Sequence, residues 1–159
     1  MRSQPGKPFF SAEGTYNKIT SYSGTIGGSG SIGIKFKNGF AAAVNAQLIS
    51  FTGDEILYVP VGLQVSFIPR SIRPAPIFHA TIGEGIYDRK LSFGINQPGS
   101  LTGSIFLSAG TGIYVAPKKR GGILLTASYI NAGFRLQEGR QSRKVESKEG
   151  FQIGLGFRL

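Results

Sequence analysis

The sequence lacks several residue types, and each absence excludes a class of chemistry or of fold. Its 159 residues include no cysteine, so disulfides and thiolate chemistry are excluded, and they include no tryptophan. The one histidine, His79, leaves little for metal binding, so no metal and no cofactor is expected. The longest apolar run, residues 56–63, contains Pro60 and is far shorter than the roughly 18 apolar residues of a membrane-spanning helix.

Charge is scarce and one-sided. Only 16% of the residues are charged, and their formal sum is +10 at pH 7. The basic residues are spread over several connecting segments and do not form one stripe, so nucleic-acid binding is not expected. The first ten residues have no apolar targeting core, so an exported protein would need a leader removed ahead of Met1. By length, residues 1–159 form a single domain with residues 1–7 as an amino-terminal extension.

The abundant signal is period-two alternation, which is clearest in the last nine residues, FQIGLGFRL. Large apolar side chains alternate there with small or polar ones, which places them on one face of a β-strand. This apolar set is Phe151, Ile153, Leu155, Phe157 and Leu159. The stretch around YVPVGLQVSFIP repeats the pattern with Leu57, Val59, Val61, Leu63, Val65 and Phe67. Each stretch predicts a strand with one apolar face.

The chain divides into eight such strands, predicted at residues 8–18, 25–37, 39–51, 55–69, 75–87, 101–116, 122–136 and 148–159. Asn38 and Gly39 predict a two-residue hairpin, because a type I′ turn needs positive φ at both central positions. The long connections, 88–100 and 137–147, fall among the odd-numbered ones, and the even-numbered connections are short. This layout predicts an all-β, eight-stranded antiparallel up-and-down barrel with short turns at one rim and longer loops at the other.

Alternation alone does not decide which face of the barrel meets solvent. The apolar residues face outward in a membrane barrel and inward in a soluble lipocalin-like carrier. The polar face is rich in Gly, Ser, Asn, Gln and Thr and has few charges, whereas a water-exposed face usually carries many Lys and Glu. We therefore predict a transmembrane barrel whose apolar residues face lipid, and we keep the soluble carrier as an alternative.

Three segments and the hairpin spacing resemble a known family. The segments are YVPVGLQVSFIP, PIFHATIGEGIY and the terminal FQIGLGFRL. Over essentially its whole length the chain resembles the small eight-stranded Gram-negative outer-membrane β-barrels of the OmpA/OmpX type, from which it departs by lacking tryptophan and by its positive charge. The resemblance implies a monomeric barrel in the bacterial outer membrane, surrounded by lipid or detergent, with periplasmic turns, extracellular loops and a lumen filled by side chains.

A filled lumen must neutralise its charges, because an unpaired buried ion is costly. Glu13 lies on the polar face of the first strand, and closure of the barrel places this strand between the second and the eighth. We predict a lumen cluster centred on Glu13, with Lys35 and Arg158 as its partners and Glu84 joining them. A neutralised polar core is favoured over a gated proton or ion path.

The basic residues of the short turns form a second candidate site. They are expected at the periplasmic rim, either as solvated turn charges or in contact with anionic lipid headgroups or an acidic partner; the set is Arg70, Arg73, Lys118, Lys119 and Arg120. Residues 137–149 carry both signs of charge and are a candidate contact for lipopolysaccharide or another envelope protein.

An enzymatic function has little support, and no catalytic residue is assigned. His79 and Thr81 share a strand face and resemble the His-x-Ser arrangement of a small barrel family that removes acyl chains from lipid A, but threonine stands at the nucleophile position. The leading prediction is a non-enzymatic outer-membrane barrel that acts as a structural or interaction component, through its loops or as a subunit of a larger complex. A lipid-modifying barrel enzyme is the remaining alternative.

Overall fold

The computed structural model describes residues 6–19, 24–51, 56–69, 74–86, 88–93, 97–118, 121–138 and 141–159. The strands are β1 (Lys7–Ile19), β2 (Thr25–Lys35), β3 (Phe40–Phe51), β4 (Ile56–Phe67), β5 (Ala75–Ile86 and Asp88–Phe93), β6 (Gln97–Lys118), β7 (Gly121–Glu138) and β8 (Gln141–Arg158). Both parts of β5 pair with β6, so they count as one strand. No helix in the described residues is long and apolar enough to cross a membrane.

The eight strands close into one antiparallel barrel. Each strand pairs with its neighbours in sequence, including β4 with β5 and β5 with β6. The pairing of β1 with β8 then closes the sheet. The seam between the first and last strands runs from Ser11 opposite Arg158 to Ile19 opposite Gly150. The predicted eight-stranded up-and-down barrel is therefore confirmed.

One rim of the barrel, which we call the terminal rim, carries the start of β1 and the end of β8; the opposite end is the distal rim. The hairpin between β2 and β3 lies at the terminal rim, where the Phe36 amide donates to the Phe40 carbonyl at 2.8 Å. Gly39 in this turn has φ of +93°, which a residue with a side chain rarely adopts. A Cβ atom there would also lie 2.6 Å from the Ile68 carbonyl oxygen, so the turn requires glycine.

Pro60 lies inside β4 and interrupts the ladder between β3 and β4. The paired positions run from Phe40 opposite Phe67 to Ala46 opposite Val61, and they resume at Ile49 opposite Tyr58. Proline has no backbone donor, so a local break in the ladder is its expected effect. The barrel tolerates it because the pairing continues on both sides of the break.

The strands at one side of the barrel are much longer than predicted. β6 has 22 residues and β7 and β8 have 18 each, whereas β1 has 13 and β2 has 11. The segments predicted as long loops, 88–100 and 137–147, are largely strand where they are described. Residues 137–147 contain one large apolar side chain, Val145, so their ladder continues without the apolar alternation from which the strands were predicted, whereas Leu91 and Phe93 give residues 88–93 only a short alternation.

Candidate functional site

The outer wall of the barrel is apolar. Large hydrophobic side chains of every strand are exposed on it, for example Ile32, Val44, Leu63, Ile82 and Leu155. Of the residues predicted to face lipid, the exposed ones are Leu57, Val61, Leu63, Val65, Phe151, Ile153, Leu155, Phe157 and Leu159, while Val59 and Phe67 are half-buried on the same face. The alternative prediction of a soluble carrier is wrong, because the apolar residues of such a carrier would line an internal cavity.

Aromatic side chains border this wall at two levels. Near the terminal rim, Phe10 contacts Phe157 with ring centroids 6.0 Å apart, and Phe40 contacts Phe67 at 4.8 Å. Nearer the distal rim, Tyr129 contacts Phe151 edge to face at 5.9 Å, and Tyr16 is exposed two residues before Lys18. Phenylalanine and tyrosine thus occupy the positions at which small membrane barrels carry aromatic girdles.

Glu84 lies on this outer wall. It is exposed, it shares its strand face with Ile82 and Ile86, and it pairs with Val61 and Ile105. Its predicted place in the lumen cluster is therefore wrong. The parity of β5 continues without a bulge from His79, which points inward, so Glu84 five residues later points outward.

The middle of the lumen is filled by a hydrogen-bonded polar network that crosses five strands. Gln152 Nε2 donates to Asn17 Oδ1 at 2.8 Å and to Gln47 Oε1 at 3.3 Å. Gln47 Nε2 donates to Asn45 Oδ1 at 3.2 Å, Asn45 Nδ2 to Ser31 Oγ at 2.8 Å, and Ser31 Oγ to Gln64 Oε1 at 3.0 Å. Because these amides and hydroxyls pair with one another, the polar faces can meet without many charges.

Glu13 points into the lumen beside this network. Its Oε2 accepts a hydrogen bond from Thr126 Oγ1 at 2.8 Å. A Cβ atom on Gly154 would lie 2.5 Å from both of these oxygens, and one on Gly156 would lie 2.5 Å from Glu13 Cγ. Two glycines of the closing strand therefore provide the space that the glutamate side chain occupies.

Arg158 also points inward but makes its contacts with other residues. Its guanidinium carbon lies 3.7 Å from the centroid of the Phe9 ring, and its Nη1 donates to Ser66 Oγ at 3.4 Å. Arg158 and Glu13 attract each other electrostatically. Lys35 lies on the inner face of β2 opposite Lys7 at the terminal rim, six positions along the strand from the residue that pairs with Glu13. The structure therefore places Lys35 and Arg158 in the lumen with Glu13, at different levels.

His79 points into the lumen and not toward the outer wall. Its Nε2 forms a hydrogen bond with Ser128 Oγ at 2.8 Å, across the intervening strand β6. Thr81 on the same face is buried, and its hydroxyl has no hydrogen-bond partner in the part of the chain that the structure describes. An enzyme that removes acyl chains would need these groups to reach lipid at the outer wall, and neither does.

An apolar cluster that the sequence did not predict closes the distal end of the lumen. This distal plug consists of Ile19, Ile49, Tyr58, Phe106, Ile130, Ala132 and Phe134, with 0–2% of each side chain exposed. Tyr58 stacks at a tilt against Phe134 at 5.2 Å and Phe106 at 6.3 Å. The sequence pattern that indicates this cluster is a large apolar residue at an inward-facing position near the end of a strand, such as Ile49, two residues after Gln47.

Smaller apolar clusters occupy the terminal end of the lumen. One contains Ile68, Ala75, Ile77 and Leu124 with Tyr114 against it, and the other contains Phe9, Ala41 and Ala43. The lumen is therefore layered, with apolar side chains at both ends and the polar network between them. Of the basic turn residues, Arg70, Arg73, Lys119 and Arg120 lie outside the described residues, and Lys118 ends β6 opposite Gly121.

The closed antiparallel barrel with an apolar wall and a polar lumen is the fold of small outer-membrane β-barrels. No protein-family model and no curated protein matches the chain. Among solved structures it is similar to Neisserial surface protein A (NspA), with a TM-score of 0.70 and 14% identity over 96% of each chain.

Two further solved structures share the fold. Outer membrane protein AlkL in DMPC lipid bilayers has a TM-score of 0.60 and 11% identity, covering 99% of this chain and 91% of its own. The N-terminal β-barrel domain of Pseudomonas aeruginosa OprF has a TM-score of 0.56 and 13% identity, covering 97% and 99%. The predicted resemblance to small eight-stranded outer-membrane barrels is confirmed at the level of the fold.

Proposed function

We propose that the protein is an integral, non-enzymatic barrel of the bacterial outer membrane that acts as a structural or interaction component. It acts through residues beyond the distal rim or as a subunit of a larger complex. The observation that carries this proposal is the inverted arrangement of the faces: apolar side chains are exposed on the outside of all eight described strands. Such a surface suits lipid and promotes aggregation in water.

The aromatic levels and the chain ends support an orientation. Aromatic residues border the apolar wall on both sides, as in membrane barrels. The start of β1, the end of β8 and the short Asn38–Gly39 turn lie at the terminal rim, which corresponds to the periplasmic side in such barrels. The distal rim would then face outward, where lipopolysaccharide and other envelope proteins are the available partners.

The filled lumen supports a role without solute passage. The polar network and the distal plug occupy the interior, and a barrel of eight strands is just wide enough for side chains to fill it. We expect the purified protein to remain a folded monomer in detergent, to aggregate when detergent is removed, and to give no stable conductance steps in a planar lipid bilayer. A monomer that stays soluble without detergent would contradict the membrane assignment, and steady conductance would contradict the filled lumen.

Contact between the basic turns and anionic headgroups belongs to the same proposal. Replacing Arg70, Arg73, Lys118, Lys119 and Arg120 by glutamine should reduce folding into vesicles that contain phosphatidylglycerol, with little change in neutral phosphatidylcholine vesicles, because about 1 kcal/mol of attraction per basic residue is lost. Gel mobility of the folded form measures the yield. Equal yields in both lipids for the parent protein would show that these turns are solvated charges.

A further inference from the structure

The hydrogen bond between Thr126 and Glu13 crosses the strand that closes the barrel. Thr126 lies on β7 and pairs with Gly154 of β8, while Glu13 lies on β1 and pairs with Gly156 of β8. The two side chains therefore meet over β8 from its two sides, at 2.8 Å and across 113 residues of sequence. This bond joins β7 to β1 when β8 has taken its place between them.

Gly154 makes this contact sterically feasible. It pairs with Thr126 on one side and with Thr15 on the other, and a Cβ atom on it would lie 2.5 Å from both oxygens of the bond. A methyl group at this position would push the carboxylate and the hydroxyl apart. The glycine in the closing strand is thus a requirement of the contact that passes over it.

The carboxylate of Glu13 depends on this bond. The Arg158 guanidinium stacks on Phe9 and donates to Ser66, so a direct charge-assisted bond does not replace the one from Thr126. A partly buried carboxylate that loses its donor is destabilised, because hydrogen bonds to charged groups contribute more than neutral ones.

We infer that Glu13, Thr126 and Gly154 form a latch that holds the seam between β1 and β8 closed. Among the described residues, the seam is also held by the backbone ladder, by the Gln152–Asn17 hydrogen bond and the Arg158–Phe9 cation–π contact on the inside, and by the Phe10–Phe157 ring contact on the outside. Breaking the latch loosens the seam more than the pairing of β3 with β4, which lies three strand interfaces away from the seam. The inference concerns closure of the barrel and does not depend on what the distal rim binds.

Amide hydrogen exchange in detergent micelles tests the latch. Thr126→Val keeps the side-chain shape and removes the donor, so seam amides of β1 and β8 should exchange about tenfold faster, while amides of β3 and β4 keep their rates. Thr15→Val is the matched control: Thr15 lies on the other side of Gly154, it is buried, and its hydroxyl has no hydrogen-bond partner among the described residues. This control should leave the seam rates within about twofold.

Further variants keep the test decisive if Thr126→Val does not fold. Thr126→Ser keeps the hydroxyl donor and Glu13→Gln keeps a side-chain oxygen as acceptor, so both variants should preserve slow amide exchange at the seam. Gly154→Ala should accelerate this exchange. Faster exchange throughout the wall in Gly154→Ala, or equal acceleration in Thr15→Val and Thr126→Val, would overturn the latch and leave the bond as one ordinary contribution to the lumen.

Discussion

Phe134 shows how much one inward side chain contributes to the packing at the distal end of the lumen. It is 2% exposed in the distal plug, with its ring 5.2 Å from that of Tyr58. Replacing it with alanine should lower the free energy of unfolding by about 3–5 kcal/mol, because the surrounding strands are fixed by their ladders and cannot fill the cavity. Urea-induced unfolding in lipid vesicles measures this loss.

The matched control for this prediction is Phe151→Ala on the outer wall. Phe151 is 66% exposed, so lipid or detergent can occupy the space that the ring leaves. We expect a clearly smaller loss of stability than for Phe134→Ala. Equal losses would mean that the distal plug is not packed as the structure shows.

For single residues, the sequence predicted whether a side chain points inward or outward better than it predicted which residues the side chain contacts. The inward direction of Glu13 and Arg158 follows from strand parity, but the actual partners, Thr126 and Ser66, lie on strands that parity cannot relate to them. A contact between non-neighbouring strands depends on the barrel's register and curvature, and neither can be predicted from the alternation of residues in a single sequence. Glu84 differs for another reason: its charge suggested the lumen, but its strand parity, opposite to that of His79, places it on the outer wall.

The alternating faces of β3 give a prediction for a whole strand. Val44 is exposed midway along the outer wall, and Ser50 lies on the same face near the distal end of the strand. Val44→Lys should cost about 2–4 kcal/mol in lipid and Ser50→Lys about 0–1 kcal/mol, because the cost of a charge depends on its depth. Unfolding in vesicles measures both values. The same cost at both positions would argue against a bilayer around this strand.

Strand ends were less predictable than strand centres. The centres alternate because one face meets an apolar surrounding and the other meets the lumen, so the pattern is strong there. In residues 137–147 nearly every side chain is polar, so the backbone ladder continues the strands without an apolar face, as at Gln137 opposite Ser142 and Glu138 opposite Gln141. Hydropathy carries no information about hydrogen bonds of this kind, which is why these segments were predicted as loops.

As a whole molecule, the barrel should resist unfolding in a characteristic way. Every described strand pairs on both sides over its central part, so this part of the sheet has no open edge from which it can be peeled apart. An unboiled sample in dodecyl sulfate should therefore migrate differently from a boiled one in an electrophoresis gel. Identical migration at all temperatures would contradict a closed barrel.

The fold as a whole was the most predictable feature. Eight alternating segments, one strong hairpin signal at Asn38 and Gly39, and the distribution of long connections determine the number and order of the strands. These features are local in sequence, and closure follows because an open sheet with one apolar face leaves unpaired edges. The layering of the lumen is not local, since the distal plug brings together residues from β1, β3, β4, β6 and β7.

Because the strands differ in length, some of them extend past the closed part of the barrel. At about 3.3 Å per residue, β6 is roughly twice as long as β2, and about 10 residues suffice to cross a bilayer. The described pairing of β4 with β5 ends at Ile86, and that of β1 with β8 ends at Gly150. Beyond these residues, the described parts of β5, β6, β7 and β8 form a four-stranded sheet with two margins. In the proposed orientation, the membrane therefore surrounds a closed cylinder, and the four longer strands extend past its distal surface as a curved sheet.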